Sequence, residues 1–197
     1  MMDKIEICNL ALSRIGMENI DRMDEASEQA RTCNQFYDAC RKITLRKFPW
    51  PFATRRVQLA AVHNKDKEFE YIYRYPANAL LVRKMYSENF CGLPDKNNYK
   101  IMSDDSGLLI LTNVPKAWLE YTANVEDCTL FDDEFMQCLS WKLASDIAFK
   151  LTSNASIMET CLQAYNAYFM ESASDAGNEE NGLNSQLDSL ALARFRG

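Results

Sequence analysis

The stretch Arg41-Lys42-Ile43-Thr44-Leu45-Arg46-Lys47-Phe48-Pro49-Trp50-Pro51-Phe52-Ala53-Thr54-Arg55-Arg56 decides the fold. Pro49 and Pro51 have no amide proton, and each disfavours helical angles in the residue before it. A helix arriving from the N-terminal side therefore ends at Phe48. Apolar residues recur every three or four positions before this point and every second position after it. The stretch carries six basic residues and no acid. It reads as the junction at which a helical core hands over to an inserted sheet, with Pro49, Trp50, Pro51 and Phe52 as the packing anchor.

Upstream, Asp3-x-x-Glu6 has the pattern of a capping box, and Ile5, Cys8, Leu12 and Ile15 mark a short amphipathic helix stopped by Gly16. A second helix is expected from Asp24–Ser27 onward. Its inner stripe is Ala26, Ala30, Cys33, Tyr37, Cys40 and Leu45, widened by Phe36 and Ile43. Twenty-odd residues at ~1.5 Å each make a strut of roughly 30–35 Å.

Downstream, Val57, Leu59 and Ala61 alternate with polar or small residues, and Phe69, Tyr71, Tyr73 and Tyr75 follow the same period. His63-Asn64-Lys65-Asp66-Lys67 is a polar turn between them. Residues 80–86, 99–103, 108–112 and 118–122 are further strand candidates, and Asp104-Asp105-Ser106-Gly107 is a hairpin turn. Strands this close, with no helix between them, imply an antiparallel sheet. Helical period returns after Asp132, an N-cap, with Phe135, Leu139, Leu143, Ile147 and Leu151 as the stripe. Asn154 or Ser156 caps a fourth helix whose apolar face is Met158, Cys161, Leu162, Tyr165, Tyr168 and Phe169. The expected class is α+β: two N-terminal and two C-terminal helices (residues 1–52 and 126–176) around an inserted antiparallel sheet domain (53–125). Residues 177–197 form a tail.

The chain of 197 residues has an ordinary globular composition, 47% hydrophobic and 25% charged. It lacks both a long uncharged apolar run and a basic-then-apolar N-terminal leader, so a protein made in the cytoplasm without a membrane span is expected. Net charge is −6 and the pI about 4.9, which argues against general nucleic-acid wrapping. The charge is uneven: residues 126–134 and 171–188 each carry five acids and no base. Either these are solvated faces, or acidic Glu171, Asp175, Glu179 and Glu180 meet basic Arg41, Lys42, Arg46, Lys47, Arg55 and Arg56 between copies of the chain. The tail becomes apolar again at Leu183, Leu187, Leu190, Leu192 and Phe195, a pattern suited to docking or to folding back on its own domain.

Little in the sequence points to catalysis. The seven cysteines are scattered without a Cys-x-x-Cys pair and read as structural thiols. One histidine, His63, lies in a polar turn, so neither a histidine triad nor a histidine metal site can be assembled. No phosphate-binding or dinucleotide glycine motif occurs, and no cofactor is expected. Asp104–Asp105 and Asp132–Asp133 are the carboxylate pairs that a glycoside or cell-wall hydrolase would need, although adjacent carboxylates usually diverge. Basic residues interleaved with Phe48, Trp50 and Phe52 also fit a small nucleic-acid-binding module.

Taken in order, the motifs resemble the head-to-tail adaptor family of short-tailed bacteriophages, tail tubular protein A. The resemblance runs from Cys8-Asn9-Leu10-Ala11-Leu12-Ser13-Arg14-Ile15-Gly16 through Ala30, Cys33 and Tyr37 to Pro49-Trp50-Pro51-Phe52-Ala53, Arg56 and Leu59. It continues with Tyr73-x-Tyr75-Pro76, Leu80-x-Val82, Phe131-Asp132-x-x-Phe135, Leu143-Ala144-x-x-Ile147-Ala148, Leu151-Thr152, Tyr165 and Ala173-x-Asp175. Such a resemblance implies a non-enzymatic virion protein at the head–tail junction. It implies a self-assembled ring, twelvefold in this family, between the portal protein and the tail nozzle protein. Genomic DNA would pass through the ring's channel without sequence-specific binding. Portal contact would fall on the C-terminal segment, here Leu183, Leu187, Leu190, Leu192, Arg194, Phe195 and Arg196.

Overall fold

The computed structural model describes residues 3–63, 67–88 and 99–171. It is an α+β protein with two antiparallel sheets. Two compact units are found: one holds the described residues up to Thr44 and from Phe131, the other runs from Leu45 to Leu130. Leu45–Lys47, the last turn of a helix, belongs with the strands.

In the first unit, α1 (Lys4–Arg14) opens on the capping box: Glu6 N donates to Asp3 at 2.9 Å, and Asp3 N donates to Glu6 at 2.7 Å. Ile7, Cys8, Ala11 and Leu12 form its buried face, and Gly16 at φ +71° turns the chain. The connector that follows is held by Asn9, whose amide accepts from Ile20 N (2.8 Å) and donates to Ile20 O (2.9 Å). Those two bonds give Ile20, itself buried, the partners a strand neighbour would have provided.

The second helix, α2 (Glu28–Lys47), starts where Ala30 N donates to Ser27 Oγ. Ala30, Cys33, Tyr37, Cys40 and Leu45 are buried as expected. Ala26 and Ile43 are exposed, and Thr32, Arg41 and Thr44 are buried instead. Residue type misleads at these positions because helix rotation, set by Cys33, Tyr37 and Cys40, carries whatever lies beside them inward.

Helix α3 (Asp133–Thr152) is capped by Asp132, which accepts from Phe135 N at 2.7 Å. It is the most deeply buried helix of the unit, with Phe135, Cys138, Leu139, Leu143, Ala144, Ile147 and Ala148 all enclosed. It packs on α1 and lies beside α2, with Cys40 Sγ donating to Asp146 and Lys150 to Gln35. Helix α4 (155–171) is capped by Asn154, which accepts from Ser156 N; Ser156 therefore lies inside the helix and is not its cap. Cys161 and Tyr165 are buried, but Leu162 and Tyr168 are 42% and 40% exposed, so the apolar face is narrower than its composition suggests.

In the second unit the sheets have orders β1-β7-β4 and β2-β3-β6-β5. Their strands are β1 (Thr54–Gln58), β2 (Ala61–Val62), β3 (Tyr71–Arg74), β4 (Ala79–Tyr86), β5 (Tyr99–Asp104), β6 (Gly107–Thr112) and β7 (Trp118–Ala123). One antiparallel sheet is expected from the sequence; the protein has two. The period-two run from Val57 to Ala61 is not one strand, because the chain leaves the first sheet at buried Leu59 and enters the second at Ala61. Strand β3 is buried on both faces, through Ile72 and Tyr73, where alternation predicts one. The hairpin at Asp104–Gly107 forms as expected, with Gly107 at φ +124° and Ser106 N bonded to Asp104.

Candidate functional site

The Arg41–Arg56 stretch is dominated by the way α2 ends. A helix leaves its last carbonyls without intrahelical donors. Here the donor expected for Leu45 O would come from position 49 and that for Lys47 O from position 51, and both are proline. Arg83 serves the first of these and two neighbours: its Nη2 donates to the carbonyls of Leu45 (3.3 Å), Arg46 (2.9 Å) and Phe48 (2.8 Å), while Nε donates to Thr122 Oγ1 (2.8 Å). A cation at this end also complements the helix dipole. Burial, with Arg46 nearby, lowers the Arg83 pKa from its ordinary value.

Trp50 is 1% exposed. Phe48 meets it edge-on at 5.2 Å between ring centroids, and Phe52 lies at 6.5 Å. Its carbonyl accepts from Ala53 N, Thr54 N and Thr54 Oγ1, closing the short 3-10 turn Pro51–Ala53 that leads into β1. Pro49 and Pro51 are exposed; their role is conformational.

The six basic residues are not gathered into one surface. Arg41 is buried (1% exposed), with Asp38 3.8 Å from its Nε, which corrects its expected place in a surface patch. Burying Tyr37 and Cys40 turns the adjacent position inward. Lys42 and Lys47 are exposed. Arg46 donates to Leu80 O at 2.7 Å, and Arg55 to the Phe52 and Thr54 carbonyls. Arg56 pairs with Glu120 at 2.6 Å and lies over the Tyr86 ring at 5.0 Å. Glu120, on the central strand of its sheet, also receives Tyr86 Oη (3.1 Å) and has Lys84 Nζ at 3.9 Å. The hydrogen bond that Arg56 donates to Glu120 holds the Arg56 pKa above its ordinary value. Arg56, Lys84 and Glu120 thus form a charged row across three strands.

Sequence reasoning missed Arg83, Lys84 and Glu120. Register between β4 and β7 slips at Leu80 and again at Arg83. A slip of this kind inserts a residue and re-aims its side chain, so an arginine in a strand run becomes a cap for a helix end. The alternating pattern shows the run but not the slip.

Other candidates are engaged locally. Asp104 pairs with Arg74 at 3.0 Å and is held below its ordinary carboxyl range by that bond, while Asp105 is exposed. Asp132 serves as a helix cap and burial raises its pKa; Asp133 is exposed. His63 is exposed at the end of β2. Cys8, Cys33, Cys40, Cys138 and Cys161 are buried thiols outside any disulfide, and burial with nearby Asp146 pushes the Cys40 thiol up. No group of three potential metal ligands occurs among the described residues, and no helix among them is long and apolar enough to cross a membrane. A cavity of about 530 Å³ is lined mainly by Val57, Leu59, Tyr75, Pro76, Leu108 and Tyr121, with Gln58, Arg74 and Ser106 also contributing.

Glu171 is exposed at the end of α4. Asp175, Glu179 and Glu180, and the tail residues Leu183, Leu187, Leu190, Leu192, Arg194, Phe195 and Arg196, lie outside the described residues. No protein-family model matches the chain, and no curated protein matches it in sequence.

Proposed function

We propose that this protein is a structural virion component, a head-to-tail adaptor that forms a ring between the portal and the tail nozzle. The finer architecture belongs to the same reading: a core of four helices interrupted by an inserted antiparallel β domain, with a C-terminal tail for the portal. The observation that carries it is the ordered set of adaptor-like motifs from Cys8 to Tyr165. Many of them, including Cys8, Leu12, Cys33, Tyr37, Trp50, Tyr73, Phe135, Leu143, Ile147 and Tyr165, fall on buried positions. Shared packing positions in a fixed order constrain a fold more than shared surface residues do.

Charge supports the oligomeric part of the reading. The Leu45–Leu130 unit carries twelve basic and ten acidic residues, and the rest of the chain ten basic and eighteen acidic. A head-to-tail interface joins different patches of neighbouring copies, so opposite charge on two parts of one chain favours it. An acidic excess also suits a channel through which a polyanion slides.

Purified protein mixed with its portal should form ring-shaped particles by negative stain, with a mass showing many copies per portal. A chain that ignores the portal equally with and without residues 177–197 would refute the reading. The same mixture at rising salt separates charge-driven from apolar contact.

A further inference from the structure

Among the described residues the two sheets end in four edge strands, β1, β4, β2 and β5. An edge strand offers unpaired N–H and C=O groups to any further strand, and folded proteins blunt that offer with short length, register slips or charge. Strand β2 is two residues long, the register of β4 slips twice, and β1 carries Arg55 and Arg56. Strand β5 differs. It runs for six residues in unbroken register with β6, without proline or glycine, and every residue from Lys100 to Leu108 is exposed. Ile101 and Met102 point to opposite faces of the sheet, yet they are 45% and 43% exposed.

The hairpin fixes which backbone groups are on offer. Asp104 and Gly107 face each other across a two-residue turn, and a pair in that position exchanges its hydrogen bonds within the hairpin. Alternation then aims the N–H and C=O of Met102 and Lys100 at β6, and those of Ile101 and Ser103 at the free edge. Lys100, Met102 and Asp104 share one face of the strand, with a cation at one end and a carboxylate at the other. Antiparallel pairing of two copies about Met102 sets Lys100 of each opposite Asp104 of the other. The same register sets Ile101 opposite Ser103, the residues whose backbone groups face outward, and Met102 against Met102. A slip of two residues loses both ion pairs and sets Met102 against a charge. Lys100 lies 3.8 Å from exposed Glu68, and Asp104 accepts from Arg74 at 3.0 Å. A carboxylate has lone pairs for a second cation.

We propose that β5 is a self-docking edge, on which a second copy of this chain pairs antiparallel about Met102 and continues the β2-β3-β6-β5 sheet. Opposite charges at the two ends of one short strand make it complementary to itself, as a twofold contact requires. This contact differs from the head-to-tail interface of a ring and does not rest on the adaptor reading. A strip of this length buries less than the roughly 1,200 Å² at which stable interfaces begin, so the pair is weak and forms at high protein concentration.

The test is sedimentation equilibrium of the full chain alone over rising concentration, where the parent should show a monomer–dimer equilibrium. Lys100→Glu and Asp104→Lys each set like charges opposite one another at both ends of the pair, and each should raise the dissociation constant about tenfold. Mixed in equal amounts, the two variants should recover the parental constant, because each then meets its complement. Should Asp104→Lys fail to fold, judged by its urea midpoint, Met102→Lys carries the test: ammonium groups facing each other at the centre should abolish pairing. Amide exchange at Ile101 and Ser103, but not at Met102, should slow as concentration rises. A chain that stays monomeric up to about 1 mM overturns the proposal. So does association that none of these variants weakens, or a mixture no tighter than either variant alone; both outcomes leave the ring reading untouched. Protection of Ile101 and Ser103 that needs an added portal or nozzle protein also overturns it, since the edge then serves a different strand.

Discussion

Replacing Arg83 with methionine tests how α2 hands over to the sheets. Methionine keeps most of the apolar stem and removes every donor. The Leu45 and Phe48 carbonyls sit in partly buried surroundings, whereas the Arg46 carbonyl is exposed and water can take it over. Each partly buried carbonyl left without its donor costs about 1 kcal/mol, and the Thr122 hydroxyl somewhat less. Loss of a cation at the helix C-terminus adds about 0.5 kcal/mol. The sum is about 3 kcal/mol. With a urea slope of roughly 2 kcal/mol/M, the midpoint should fall by about 1.5 M at unchanged slope. Arg83→Lys should recover less than half of this, because one ammonium cannot serve three carbonyls and Thr122 together. Urea titration followed by tryptophan fluorescence reads both variants. If Arg83→Met lies within about 0.5 kcal/mol of the parent, water replaces the guanidinium everywhere and the capping argument fails.

Three further perturbations address single elements. Trp50→Ala removes a ring that is 1% exposed and should cost about 3–5 kcal/mol, measured by the same titration; near-parental stability would show that Trp50 is not the anchor. Asp3→Ala breaks one half of the α1 capping box and should cost about 1 kcal/mol in thermal or urea unfolding. Asp104 has a folded pKa lowered from the usual 3.8 by Arg74, so its contribution is present above that value and is lost as pH falls through the folded pKa. The stability difference between the parent and Asp104→Asn should therefore shrink on acidification below about pH 4, and a difference that stays constant down to pH 2 would contradict the Arg74 pairing.

The row Arg56–Glu120–Lys84 also allows a test of the proposed ring assembly. Arg56 already has an intrachain carboxylate, so Arg56→Gln should change assembly less than reversing the exposed Lys42 and Lys47 together. Sedimentation with the portal at low and moderate salt distinguishes the two, and a stronger effect from Arg56 would reassign the interface.

The sequence by itself determined the class and order of elements wherever the signal was local. Asp3-x-x-Glu6 and Asp132 became helix caps, Pro49 and Pro51 ended α2, and Asp104–Gly107 became the hairpin turn. Such features depend on neighbours in the chain, and dihedral limits and missing amide protons are present in the residues themselves. Only the tertiary structure decided that Arg41 is buried, that the run from Val57 to Ala61 divides between two sheets, and that Arg83 closes a helix from a distant strand. Each depends on a register slip, a helix rotation or a neighbour far away in sequence. Residue type cannot encode these alone, because the same side chain is stable inside or outside according to the partners that packing brings to it.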